Sequence, residues 1–277
     1  MLLRFLEVQF LAPLRRVEKE AQDYQSSERG QAPDWKTMTV LVTVAISLTL
    51  RQYVLTPDRY YSKAEFLRRI GLDQLALWLV DFLDDPENGQ LNGLAFWAVG
   101  WMIAYFVIPA LVIKLVFRER IRDYGVKLKG ALNGLWIYGI MFAVMVPLIL
   151  LVSQDAHFQQ TYPFYRLVPG EQLWPRFWLW QVLYALQFVS LEFFFRGFLV
   201  HGTRHRFGIY SVFVMMVPYC MIHFQKPMPE ACASIVAGIV LGFMSLKTRS
   251  IWLGAAIHIT VAISMDFASL WRQGLLF

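Results

Sequence analysis

The sequence predicts an all-α fold, a polytopic membrane bundle of about seven or eight transmembrane helices, and three observations predict it. Of the 277 residues, 57% are hydrophobic and only 17% charged, a balance far more apolar than a soluble domain carries. Several apolar runs approach or exceed the roughly 20 residues a spanning helix needs. The basic residues collect at the ends of those runs. The net charge of +6 therefore belongs to loops beside phospholipid headgroups, and nucleic acid is not the expected partner.

Residues 1–35 read as an amphipathic interfacial segment and linker. Met1, Leu2, Leu3, Phe5, Leu6, Phe10 and Leu11 alternate with Arg4, Arg15, Arg16, Glu18 and Lys19, a mixture that lies on an anionic leaflet instead of crossing it. A cleaved signal peptide is not expected. The transmembrane domain then occupies 36–277. Its first span covers 37–50 and reaches residue 55. Residues 72–83, interrupted by Asp73 and Asp81, read as an amphipathic or re-entrant helix, and 84–89 as a turn. The second span covers 91–113 with a kink at Pro109. The third covers about 131–152, the fourth 173–200, the fifth 207–223, the sixth 231–246 and the seventh 251–270. Lys226 to Glu230 reads as a rigid turn.

Charge sets the orientation. Lys114, Arg118, Arg120, Arg122, Lys127 and Lys129 follow the second span, His201 to Arg206 the fourth, and Lys247 and Arg249 the sixth. Single crossings put all three loops on one side, which the positive-inside rule makes cytoplasmic. Arg59, Lys63, Arg68 and Arg69 oppose this scheme, which leaves an extra or re-entrant segment open as an alternative there. Cys220 and Cys232 sit in apolar surroundings and read as small core residues, with no disulfide framework or CxxC metal site.

Against this apolar background the ionisable residues stand out. Glu192 and Arg196 are spaced i and i+4 on one face of the fourth span. An ionisable group at membrane depth is costly and marks a functional site by default; the alternative is an internal ion pair locking helices. At about 1.5 Å per residue, Glu192 lies about 16 Å and Arg196 about 10 Å from the basic side, with His223 at about 22 Å, His258 at about 12 Å and Asp266 at about 24 Å. A carboxylate near an imidazole, shielded from bulk water, can take a proton from water and make it nucleophilic. A second imidazole can donate to a developing oxyanion. Arg196 would hold Glu192 ionised. The same set offers a runner-up reading as zinc ligands, Glu192, His223 and His258, but the H-E-x-x-H signature is absent and no cofactor is expected.

The order Glu192-x-x-x-Arg196 followed by Gly197-Phe198-Leu199, then Tyr219-x-x-x-His223, then His258, resembles the CPBP family over about 170–270. These intramembrane glutamyl proteases are related to the type II CAAX prenyl endopeptidase and include bacterial bacteriocin-processing and immunity proteins. Their motifs are Glu-Glu-x-x-x-Arg, Phe-x-x-x-His and His-x-x-x-Asn or Asp. Leu191 stands where the family has its first glutamate, Tyr219 replaces the phenylalanine, and Ala262 replaces the Asn or Asp, a role that Asp266 one turn further could fill.

The resemblance implies an intramembrane endopeptidase; the family's usual base, the first glutamate, falls on Leu191, so Glu192 would take over as base, with His223 beside it and His258 stabilising the oxyanion. Its substrate would be a membrane peptide or a lipid-modified protein tail, and its location the bacterial inner membrane. The alternative is a non-catalytic relative that binds such a tail. A transporter is a distant third reading, because paired broken helices in an internal repeat are missing.

Overall fold

The computed structural model describes residue 7 and residues 11–128, 135–168, 170–224, 226 and 228–276. The apolar N-terminal residues Met1 to Leu6, the residues Lys129 and Ala131 at the expected start of the third span, and Pro227 lie outside them. Among the described residues the chain is helical and has no strand. Among the described residues five helices are long and apolar enough to cross a membrane: Gly89–Val116, Leu135–Val152, Arg176–Met221, Glu230–Thr248 and Trp252–Arg272. This is an all-α, polytopic membrane architecture.

The five differ from the expected seven or eight for physical reasons. The N-terminal helix α1 (Ala12–Ser26) precedes α2 (Trp35–Tyr53), which has 19 residues but dilutes its apolar surface with Thr37, Thr39, Thr43, Ser47 and Thr49. The helices α3 (Tyr60–Arg69) and α4 (Asp73–Leu83) pack as a short pair. They account for the basic residues between 59 and 69 without a crossing of their own. α5 (Gly89–Val116) carries Pro109 between two π-helical stretches, Ile103–Val107 and Val112–Val116, and so continues through a residue with no amide hydrogen. α6 (Leu135–Val152) is the most apolar span and leaves Val144, Leu148 and Leu151 exposed.

The expected fourth and fifth spans form one helical run of 46 residues, Arg176–Met221. Run straight, it would extend about 69 Å, more than twice the roughly 30 Å hydrocarbon layer. It is not straight. After α7 (Ala156–Thr161), the run comprises α8 (Arg176–Glu192), a π-helical segment Phe193–His201 and α9 (Gly202–Phe207). Gly208 then adopts a φ of 56°, and α10 (Ser211–Met221) packs back on the π segment. α11 (Met228–Thr248) and α12 (Trp252–Arg272) complete the chain.

The chain divides into two compact units, with the boundaries falling inside helices. The first comprises Met1–Ser47, Tyr105–Leu135 and Val189–Ala255. Here α1 lies against α9 and the turn after it, burying Val17 and Ala21 from one face. Glu18 accepts a hydrogen bond from the Ile209 amide at 3.1 Å. A Cβ on residue 208 would come within 2.3 Å of the same carboxylate, so both its positive φ and its space demand glycine. Asp34 caps α2, accepting from the Thr37 amide at 3.0 Å and from His205 Nε2 at 2.9 Å. Burial pushes the Asp34 carboxyl up, but the Thr37 and His205 hydrogen bonds outweigh it and hold the group below the usual carboxylate range. Glu119 is likewise raised by burial and pulled lower overall by Lys36 and Tyr124. The Ile251 amide donates to Gly125 O at 2.9 Å, and Trp252 Nε1 to Val126 O at 3.1 Å. The described parts of the three basic loops thus belong to one compact unit with the N-terminal helix.

The second unit comprises Leu48–Ala104, Trp136–Phe188 and Ala256–Phe277. Its core is aromatic: Tyr165, Phe177, Trp180 and Tyr184 pack with Leu91 and Ala262, and the Trp180 and Tyr184 rings stack at 4.8 Å.

Candidate active site

The site in the first unit grows from a run of three phenylalanines. Phe193, Phe194 and Phe195 are consecutive, so α geometry would turn each ring about 100° from the last, and each needs its own apolar partner. Phe193 meets Phe106 at 4.7 Å, Phe194 stacks on Tyr105 at 4.4 Å, and Phe195 stands edge-on to Tyr219 at 5.2 Å. All nine residues of the π segment are buried. π-helical turns are rare and concentrate at functional sites. Gly197 lets the 3₁₀ turn Ile121–Tyr124 sit directly on this segment, since a Cβ there would be 2.6 Å from the Tyr124 carbonyl oxygen.

The π segment starts immediately after Glu192. The Glu192 and Arg196 side chains are 1% and 0% exposed, and Arg196 Nη1 lies 2.9 Å from Glu192 Oε1. The guanidinium also lies over the Tyr219 ring, 3.9 Å from its centroid, a desolvated cation–π contact. The other carboxylate oxygen, Oε2, rests against Gly254, where an added Cβ would be 2.3 Å away. Gly254 belongs to the first turn of α12, whose N-terminal partial positive charge favours a carboxylate. A guanidinium and a helix start thus both face the buried carboxyl group. Behind the pair, Ser245 Oγ donates to the Arg196 carbonyl at 3.3 Å and meets His201 Nε2 at 3.1 Å.

His223 follows the end of α10. Its Nδ1 donates to the Tyr219 carbonyl at 2.8 Å, which leaves Nε2 as the lone-pair nitrogen of the neutral ring. Tyr219 meets the His223 ring edge-on at 4.9 Å. Its face holds Arg196 and its ring also contacts His223, so the first unit joins Glu192, Arg196, Tyr219 and His223 in one chain of contacts. Leu191, where the resemblance places a first carboxylate, is buried at 4% exposure.

His258 and Asp266 belong to the second unit. The His258 ring stacks on Phe188, centroids 5.6 Å apart and planes 19° apart. Asp266 is fully buried, and its Oδ2 accepts from Gln181 Nε2 at 2.7 Å. Because α12 is continuous, Asp266 lies eight residues, or about 12 Å along the axis, beyond His258. Its carboxylate is engaged by glutamine two turns away from the imidazole. Ala262 is part of the aromatic core. Among the described residues no group of three or more His, Cys, Asp or Glu side chains is placed to hold a metal ion; of the runner-up zinc set, Glu192 and His223 fall in one unit and His258 in the other.

Three partners escape a reading of the sequence alone. Gly254 carries the one available signal, since it stands four residues before His258 and so shares its face of α12. Nothing local marks the Tyr124 carbonyl beneath Gly197, or Gln181 as the partner of Asp266.

Spanning helices around a buried carboxylate–guanidinium pair define an integral membrane protein with a charged site at helix depth. Residues 172–264 match the family model for type II CAAX prenyl endopeptidase Rce1-like proteins. The match falls on the stretch whose motifs resemble the CPBP family, and it contains Glu192, Arg196, His223 and His258. No curated protein and no solved structure matches the chain.

Proposed function

We propose that this chain is an intramembrane endopeptidase that hydrolyses a peptide bond in a membrane-associated, lipid-modified protein tail. The observation that carries the proposal is the buried Glu192–Arg196 pair at 2.9 Å, inside the segment that matches a prenyl endopeptidase family. Glu192 would act as the base in its ionised form, beside Arg196 and the start of α12. Glu192 takes a proton from water, and the resulting hydroxide oxygen bonds to the scissile carbonyl carbon. The tetrahedral oxyanion then collapses, the C–N bond breaks, and the proton held by Glu192 passes to the leaving amine. His223, with its Nε2 lone pair, orients the water. His258 takes the oxyanion role on the resemblance alone.

A second reading, a binding relative without activity, is favoured by the buried Leu191 in the place of a carboxylate. One experiment separates them. Protein reconstituted in liposomes is given a peptide ending in a farnesylated cysteine and three further residues, and products are read by mass spectrometry. The expected result is cleavage that Glu192→Gln lowers by about 10²–10⁴-fold and that chelators leave unchanged. Tight binding without cleavage establishes the second reading. Cleavage that survives Glu192→Gln within two-fold removes Glu192 from the chemistry, and loss of activity to a chelator replaces the base by a metal.

A further inference from the structure

Away from the Glu192 pair, the first unit gathers a second set of charges where α9, the turn between α11 and α12, and the loop after the Ile121–Tyr124 turn converge. The backbone of this junction is well tied. Ile251 and Trp252 donate to Gly125 and Val126, and Ser250 Oγ donates to Lys127 O at 3.4 Å. The His201 ring lies against Gly125, 3.3 Å from where a Cβ would stand. Arg204 follows His201 by three residues, so it emerges on the same face of the helix one turn on. The charges of Arg204, Arg249 and Lys127 all reach the His201 ring, and those of Arg249, Glu20 and Asp123 reach Arg204.

The charges do not balance. Both carboxylates are committed: Glu20 to Arg249 at 3.2 Å and Asp123 to Lys127 at 2.9 Å. Arg204 is left over. Its Nη1 is buried and, among the described residues, has no hydrogen-bond partner. Arg249, which faces it with like charge, is held in the left-handed backbone region at φ 53°, uncommon for a residue with a side chain. A partly buried guanidinium beside a second cation calls for an anion with several acceptor oxygens, and phosphate fits its planar fork. The junction gathers residues of the basic loops, of the kind that meet anionic headgroups.

We propose that this junction is an anion site in which Arg204 holds the phosphate of an anionic lipid headgroup. The site is independent of the proposed peptidase activity. The test follows the unfolding temperature of purified protein in a neutral detergent. Short-chain phosphatidylglycerol, short-chain phosphatidylcholine and glycerol 3-phosphate are added separately. Phosphatidylglycerol is expected to raise the wild-type midpoint by at least about 2 °C, and phosphatidylcholine not to. Arg204→Gln abolishes the rise, yet without lipid it unfolds no earlier than wild type, because it removes an uncompensated cation. Arg204→Lys, which keeps the charge, retains part of the rise and guards against misreading a folding defect. An added response to glycerol 3-phosphate assigns the contact to the headgroup phosphate. Equal effects of the two lipids, or an undiminished rise in Arg204→Gln, overturn the site. A response to glycerol 3-phosphate with none to phosphatidylglycerol overturns the lipid as its occupant.

Discussion

At the scale of single residues, Arg196 is the side chain whose loss the structure penalises most clearly. It neutralises Glu192 and covers the Tyr219 ring, and truncation strands a carboxylate with 1% exposure. Arg196→Ala is expected to cost about 3–5 kcal/mol. The double variant with Glu192→Gln recovers part of that loss, because no charge is left behind. Denaturant titration of the four proteins in detergent gives the coupling energy, and strict additivity would show that the pair does not interact. Tyr219→Phe keeps the aromatic face over Arg196 and changes stability little, whereas Tyr219→Leu loses the cation–π contact, about 2 kcal/mol when desolvated. The ion pair was legible in the sequence because i,i+4 spacing is a local rule. Gly254 was not, because its contact with Glu192 depends on how two distant helices meet.

At the scale of elements, the lesson is in the helix carrying the site. Hydrophobicity locates the fourth span but says nothing about hydrogen-bond register, so Phe193–His201 reads as ordinary α-helix. Its π form answers to the packing of three successive rings. The break at Gly208 also hides inside an apolar run; only the Glu18 carboxylate pressed against that glycine shows why the chain must turn there. The contacts at the start of α2 carry a pH response. Asp34 and Glu119 are held below the ordinary carboxylate range in the folded protein. Their contribution is therefore complete above the unfolded carboxyl pKa of about 4 and is lost as the pH falls through the lower folded values. Unfolding midpoints should drop steeply below about pH 4. Asp34→Asn, which cannot titrate, should start lower at neutral pH and fall less. Equal acid slopes for the two proteins would remove Asp34 from the response.

At the scale of the whole molecule, composition was enough for the class, because the apolar fraction of a membrane bundle cannot be mistaken for a soluble core. The number of spans was less legible. Among the described residues length and apolarity count five, since α2 is rich in threonine and the expected fourth and fifth spans form one interrupted run. The division into two units leaves no mark in the sequence, as its boundaries fall inside helices. The three basic loops read as sharing a side, and their grouping in one unit supports a topology prediction. In a background with Cys220 and Cys232 replaced by serine, cysteines at 122, 206 and 247 should react with an impermeant thiol reagent from the same side of sealed vesicles. A cysteine at 87 is expected to react from the other, as a single crossing by α5 between 87 and 122 requires. Labelling of 87 and 122 from one side would end the single-crossing assignment.

The bonds that tie down α1 have a consequence for biosynthesis. Glu18 meets Ile209, Gln25 meets Arg206, and Glu20 meets Arg249, partners separated by 191, 181 and 229 residues. At roughly 5–20 residues per second of translation, the last of these arrives about 10–45 s after Glu20 has been made. For that interval the helix is an orphan, with Val17 and Ala21 uncovered on one side and arginine and lysine on the other. A segment of this kind has a resting place that needs no protein partner, the surface of the bilayer. The N-terminal helix is thus suited to wait on lipid while the ribosome finishes the turn that will claim it.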